Sequence, residues 1–280
     1  METHGNIGQR AELAVLRKTA NGLILQAGGV LDEVLLPNKE CPRTWQQGDK
    51  LDVFLHLDSE DRPIATLRHP KVMPGEFACL EVLQRTQIGS FLDWGLAKDL
   101  FLPFREQNGR VEPGKSYVIY AYVDEKTGRI VASHRIGRHL AKGKPDYQNG
   151  AEVQLLIYAQ TDLGYKAIIN GEHGGLLFAN EVFKPLKEGD EVKGYIKNIR
   201  DDGKIDLSLN PPGRARIDSL EAVIEGELRR NGGFIPFHDK SPADEISRHF
   251  GVSKKAFKQA TGALFRQRKI TFEPNGIRAV

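Results

Sequence analysis

The chain has 280 residues, 40% of them hydrophobic and 28% charged, with a formal net charge of +3. That size suggests about two or more domains with cores of their own, and the composition is that of a soluble globular protein. No apolar run approaches the roughly 18 residues of a membrane span, METHGNIGQRAEL shows no secretory signal, and Cys41 and Cys79 make neither a metal-ligand spacing nor a disulfide framework, so a reducing cytoplasm is expected.

The first predicted elements are five short strands: AELAVLRKT, GLILQAG, EVLLP, KLDVFLHLD and PIATLR. They are rich in Val, Ile, Leu and Phe and bounded by Gly, Pro, Asn and Asp. In the fourth, Leu51, Val53, Leu55 and Leu57 alternate onto one apolar face. The pattern then returns twice. Thr19/Gly22, Thr86/Gly89 and Thr161/Gly164 are T-x-x-G corners. Each is followed 25 or 26 residues on by Gly48, Gly114 or Gly189, and 16 residues beyond that by Ile64, Ile130 or Ile205. Three anchors in register mark an internal repeat of about 60–65 residues. Five short strands with one apolar face cover it by closing into a small barrel. A glycine at the corner suits a sharply coiled second strand that a side chain would crowd.

Past NPPGRAR the period becomes helical. Leu220, Val223, Ile224 and Leu228 form the apolar stripe of a first helix, which NGG at 231–233 ends. Ser241 and Pro242 open a second helix with Ile246 and Phe250 inward. Gly251 turns the chain, and Ser253 caps a third helix that buries Phe257, Ala260 and Leu264. KITFEPNGIRAV reads as a hairpin turning at Asn275-Gly276. Together these make a winged helix-turn-helix. The fold class expected is therefore mainly β with a small α+β C-terminal domain. Three tandem five-stranded barrels occupy 1–69, 70–145 and 146–211, and the winged helix occupies 212–280.

Charge is uneven along this series. Residues 1–70 carry net −2, 71–145 net +4, 146–210 net −4 and 211–280 net +5. Lys126, Arg129, Arg135, Arg138, Lys142 and Lys144 lie in a stretch free of acidic residues, as do Lys254, Lys255, Lys258, Arg266, Arg268 and Lys269. Such stretches suit phosphate backbones or form solvated basic faces.

IGSFLDWG in the second copy and GKIDLSL in the third resemble strands of the ribosomal-protein-S-one type of RNA-binding domain, an OB-fold barrel. The resemblance implies single-stranded RNA on a face lined by four positions: an aromatic before the glycine, an aromatic two after it, a histidine in strand three and a basic residue ending strand five. Before the glycine stand Asn21, Ile88 and Leu163; two after it stand Ile24, Phe91 and Lys166. At the histidine position stand Leu36, Leu102 and Phe178, and at the end of strand five His69, Arg135 and Asn210. The second copy keeps Phe91 and Arg135, and with Trp94, Arg85, Arg129 and Arg138 it is the expected RNA face. The first copy is degenerate. The third is acidic and offers Lys166 and Phe178. Phe91 and Trp94 have packing against a neighbouring domain as their alternative role. For Phe54, Tyr120 and Tyr195, which point outward at one repeated position on strand four, packing between domains is the leading reading and base stacking the alternative.

Three such barrels followed by a winged helix resemble the bacterial conserved virulence factor B family along essentially the whole chain. That resemblance implies a cytoplasmic RNA-binding protein that influences gene expression. In the winged helix, Lys254, Lys255 and Lys258 at the start of the third helix, with Arg266 and Arg268 beyond, suit phosphate contact more than base reading. The expected path for single-stranded RNA combines the second barrel and the winged helix through stretches 126–144 and 251–271. Two other readings stay open: a DNA-binding transcription regulator with barrels as spacers or ligand sensors, and a scaffold on ribosomes or RNA polymerase. No enzyme is expected, because no phosphate loop, H-E-x-x-H or C-x-x-C occurs. Asp201, Asp202 and Asp206 read as a turn rather than a metal site. No cofactor and no membrane partner are expected.

Overall fold

A computed structural model describes residues 6–28, 32–143, 145–182 and 185–280; Lys144 of the basic stretch lies outside them. The chain divides into two compact units, Met1–His139 and Leu140–Val280. The first unit holds two barrels. The second holds a third barrel and the helical domain.

The first barrel is built from β1 (Arg10–Lys18), β2 (Gly22–Gln26), β3 (Glu33–Pro37), β4 (Lys50–Leu57) and β5 (Pro63–Thr66). The second uses β6 (Phe77–Arg85), β7 (Gly89–Leu92), β8 (Leu100–Pro103), β9 (Ser116–Val123) and β10 (Ile130–Ser133). The third uses β11 (Glu152–Thr161), β12 (Gly164–Ile169), β13 (His173–Phe178), β14 (Glu191–Ile199) and β15 (Ile205–Ser208). Each is closed: the first three strands form a meander, the third pairs in parallel with the fifth, and the fourth bonds to both the fifth and the first. A register shift bends the first strand of every copy, at Val15/Arg17, Val82/Gln84 and Ile157/Ala159. A bulge of this kind coils a strand enough to serve both ends of a small barrel.

The repeated corner has one physical cause. Backbone N–H bonds from Thr19 and Thr86 reach the carbonyls of Gly22 and Gly89 at 2.8 Å, and all three threonine hydroxyls donate to their glycine carbonyls at 3.0 Å. The glycines hold φ of +154°, +158° and +142°. A Cβ there would stand 1.9 Å from the Leu36 carbonyl oxygen, 2.5 Å from that of Leu102 and 2.0 Å from that of Leu177. Threonine locks the hairpin and glycine lets the next strand close over it.

The helical domain has α1 (Gly213–Arg230), β16 (Phe234–Ile235), α2 (Ala243–Phe250), α3 (Lys254–Arg266), β17 (Ile270–Glu273) and β18 (Gly276–Ala279). Its core joins Ile224, Leu228, Ile246, Phe257, Leu264 and Ile277. Four local expectations need correction. The N-cap of α2 is Pro242, and the Ser241 hydroxyl accepts from the His238 N–H instead. Val223 is exposed on α1. The wing turns through Pro274 and Asn275, because Glu273 pairs with Gly276. The wing also has a third strand, β16, against β18; a Cβ on Gly276 would meet the Ile235 carbonyl at 2.2 Å.

Candidate nucleic-acid interface

Alternation along β7 and β8 sends Ser90, Leu92, Leu100 and Leu102 into the second barrel, and Phe91 and Phe101 to its outer surface. Cross-strand pairing then sets Gln84, Phe91, Phe101 and Val131 in a row over four strands. The two phenyl rings lie 5.2 Å apart, tilted by 39°. The same row in the first barrel begins Ile24–Leu35, and in the third Lys166–Leu176. The aromatic pair therefore belongs to the second barrel among the three. Phe101 was missed because LFLP reads as a plain apolar run, although its alternation was the available signal.

The cations of the second barrel are engaged unequally. The Arg85 guanidinium lies 5.4 Å from the centre of the exposed Phe104 ring, next to the hairpin tip that presents Ile88. Arg135 donates to the Arg105 carbonyl at 2.8 Å. Arg138 is exposed, and among the described residues it has no carboxylate partner. Arg129 is different. It grips both oxygens of Asp61 in the first barrel at 2.6 and 2.5 Å, which holds that carboxyl below its ordinary pKa. Arg129 therefore joins barrels rather than waiting for phosphate.

Trp94 also needs correction. It is 4% exposed, its indole N–H donates to the Lys98 carbonyl at 2.5 Å, and its ring meets Phe54 edge-on at 5.9 Å. Phe54 points out of the first barrel, yet is fully buried in the hydrophobic cluster of the second. Tyr120, at the same repeat position, stacks on His139 at 4.3 Å, and Tyr195 sends its hydroxyl to Glu152. Only Phe54 of the three becomes inter-barrel core.

Beside the aromatic pair is a pocket where the two barrels of this unit meet, lined by Phe91, Phe101, Trp94, His56, Lys98 and Asp99, among others. The His56 Nδ1 lies 3.2 Å from the Leu57 carbonyl, which can only accept, so Nδ1 carries the proton. Burial lowers the His56 pKa, keeping the ring neutral and leaving Nε2 an acceptor. Lys98 donates to the Leu57 and Asp58 carbonyls at 3.2 and 2.7 Å, and burial lowers its pKa. Asp99 is half-buried, and burial with the nearby Asp93 charge raises its pKa.

The second unit is more self-neutralised. In the third barrel Lys193, Lys197, Arg200 and Lys204 pair with Glu152, Glu181, Asp206 and Asp202. Those pairs also engage two of the three aspartates at 201–206. Lys166 is exposed on β12. Phe178 lies under Arg200, 5.7 Å from ring centre to guanidinium carbon, and pairs with Gly164. The residues in that register are Pro37 and Pro103, so the alignment of Phe178 with Leu36 and Leu102 is off by one; Leu177 is their counterpart. Along α3, Lys255, Gln259, Gly262 and Arg266 share one outward stripe at spacings of four, three and four. Lys254 donates to the Lys240 carbonyl at 3.3 Å and Lys258 lies 3.9 Å from Asp239. Arg268 is exposed at φ +57°. The Ser253 hydroxyl caps α3 by accepting from Ala256 at 3.3 Å, as its position suggested.

Family models agree with the first barrel and the helical domain. Residues 222–278 match the CvfB-like winged helix domain and residues 7–68 the S1 domain. The Bacillus subtilis protein YitL is 28% identical over 96% of this chain and 92% of its own. Conserved virulence factor B of Staphylococcus aureus is 23% identical, covering 82% of this chain and 79% of its own. A crystal structure from Streptococcus pneumoniae, described as a multidomain protein with nucleic acid binding domains, aligns over 99% of both chains at 22% identity and a TM-score of 0.46.

Proposed function

For a chain that belongs with conserved virulence factor B and YitL as their homologue, we propose that the activity is binding of single-stranded RNA, without catalysis, in the control of gene expression in the cytoplasm. The observation that carries this reading is the Phe91–Phe101 pair on the outer face of the second barrel. Nucleobases stack on such rings whatever their identity, each worth about 1–3 kcal/mol, while nearby cations follow the backbone. Arg85, Arg135 and Arg138 supply that charge. Lys255 and Arg266 on α3 form a separate phosphate-binding face. Lys166 and Phe178 are secondary contacts at most, because the third barrel is acidic.

The test is fluorescence anisotropy with labelled single-stranded RNA and duplex DNA at equal salt. Phe91→Ala and Phe101→Ala should each weaken RNA binding by about tenfold, the lower end of a stacking contribution. Unchanged affinity in both variants refutes the face. A second reading rests on the α3 stripe, where Gln259 suits adenine and Gly262 allows close approach, as in a helix docked in a DNA major groove. Tighter binding to duplex DNA than to RNA would favour that reading.

A further inference from the structure

The inter-barrel pocket is chemically richer than a stacking surface needs. A stacking platform is indifferent to base identity. Here the platform ends against polar groups held by the first barrel and by the 93–99 loop. Asp99 is half-buried, and among the described residues its carboxylate has neither hydrogen bond nor ion pair. A half-buried carboxylate without a partner keeps its acceptor oxygens for a ligand. Its charge also repels phosphate, so what enters beside it is a base edge.

The polar inventory can be counted. Asp99 is an acceptor. His56 offers Nε2 as a second acceptor, because Nδ1 is committed to the Leu57 carbonyl. Lys98 spends two of its three hydrogens on the Leu57 and Asp58 carbonyls and keeps one to donate. Arg129 also lines the pocket and, with Nε and Nη2 on Asp61, keeps Nη1 to donate, so the pocket presents two acceptor groups and two cationic donors. The guanine Watson–Crick edge fits the Asp99 carboxylate: N1–H and N2–H₂ are adjacent donors for its two oxygens, and O6 accepts from a cation. Uracil, cytosine and adenine each present a single donor group on that edge, so none offers the adjacent pair that a carboxylate takes.

We propose that the pocket between the first and second barrels binds a guanine base, seated beside Phe91 and Phe101 and read by Asp99, Lys98 and His56. The inference rests on the reading that this face takes single-stranded RNA. It adds a preferred base at one point along a strand that is otherwise bound without selection. A free guanine nucleotide carries the same edge, so the experiment has an arm for each source.

The full chain is titrated by anisotropy with a short labelled oligouridylate and with the same strand carrying one central guanine, adenine or cytosine. Guanine should raise affinity by about tenfold, the value of a good bidentate base contact, and adenine and cytosine by much less. In Asp99→Asn, which replaces one acceptor oxygen by a donor, the guanine-to-uracil ratio should fall to about one. In parallel, guanosine monophosphate is titrated against Trp94 fluorescence. If RNA binds but guanine gives no advantage, or Asp99→Asn keeps it, the pocket assignment is overturned while the RNA reading stands. If no RNA binds but the mononucleotide does, and Asp99→Asn abolishes that, the pocket is a free-nucleotide site and the RNA reading falls. If neither binds, both are overturned.

Discussion

Phe54→Ala tests whether the first two barrels are one cooperative body. Val53, Phe54 and Leu55 are all fully buried on β4, which an isolated barrel with a solvated outer face would not allow. Val53 and Leu55 fill the first barrel, whereas Phe54 sits in the cluster of the second and meets Trp94 edge-on. Removing a buried phenyl ring costs about 3–5 kcal/mol through lost burial and an unfilled cavity. Phe54→Leu, which keeps most of the apolar volume, should cost less. Hydrogen exchange followed by mass spectrometry is the assay, because it reads each barrel separately. A loss of about 3 kcal/mol accelerates exchange by more than a hundredfold where amides open through unfolding of the pair. The acceleration should reach β7, β8 and β9 as well as β4 and β5. Acceleration below about threefold, or confined to the first barrel, refutes the argument, since threefold is less than 1 kcal/mol.

Gly164→Ala should destabilise the third barrel far more than Gly171→Ala. Both have positive φ, but a Cβ at 164 meets the Leu177 carbonyl at 2.0 Å while one at 171 meets nothing within 4 Å. Strain alone accounts for about 1–3 kcal/mol at either site, so equal exchange rates in β12 would refute the corner mechanism. His56 has a lowered pKa from burial, so the unfolded chain takes up its proton first. The stability this contributes is fully present above the ordinary value of 6.5 and falls as pH drops below it, toward the folded pKa. In NMR titration the His56 ring should stay neutral below pH 6.5, and His56→Gln should flatten the acid side of the stability curve. Arg85→Ala and Arg138→Ala should each reduce the salt slope of RNA binding by about one, while Arg129→Ala should not. Equal slope changes in all three would show that the Asp61 pair opens for phosphate.

The barrels were legible because their signal is local and repeated. The Thr–Gly corner needs only a hydroxyl, a carbonyl and a missing Cβ, all within one hairpin, and it recurs with its partners at fixed spacing. The same holds for the Ser253 cap and the Gly251 turn, where φ is +67°. What escaped was set by contacts distant in sequence. Packing was one of the two roles open to Trp94, and Phe54, forty residues earlier, is what supplies it. Arg129 looked like a free cation until Asp61 took two of its three guanidinium nitrogens. Phe178 was set one place off because the strand register counts from the glycine, which pairs with Phe178 as it does with Pro37 and Pro103 in the other copies.

These misses share a direction that bears on function. Each inter-barrel contact removes a candidate ligand-binding group and converts it into structure. Trp94 and Arg129 go this way, and on the row across β6, β7, β8 and β10 what stays open is Gln84, Phe91 and Phe101, with Val131 buried at its end. That row differs among copies at the position two after the corner glycine and at its cross-strand partner. Ile24–Leu35 is aliphatic, Lys166–Leu176 pairs a cation with an aliphatic, and Phe91–Phe101 is aromatic. The unit of divergence is therefore the pair rather than the single residue, since two adjacent rings present a continuous surface for a base where one ring offers only an edge of it. A side chain one place along the strand points into the core and is held there by packing, as Ser90, Leu92 and Leu102 are. Only alternate positions are free to change chemistry without unfolding the barrel. One fold used three times thus keeps its corner and its core and varies its outer row, and the second copy is where that variation produces a surface suited to nucleobases.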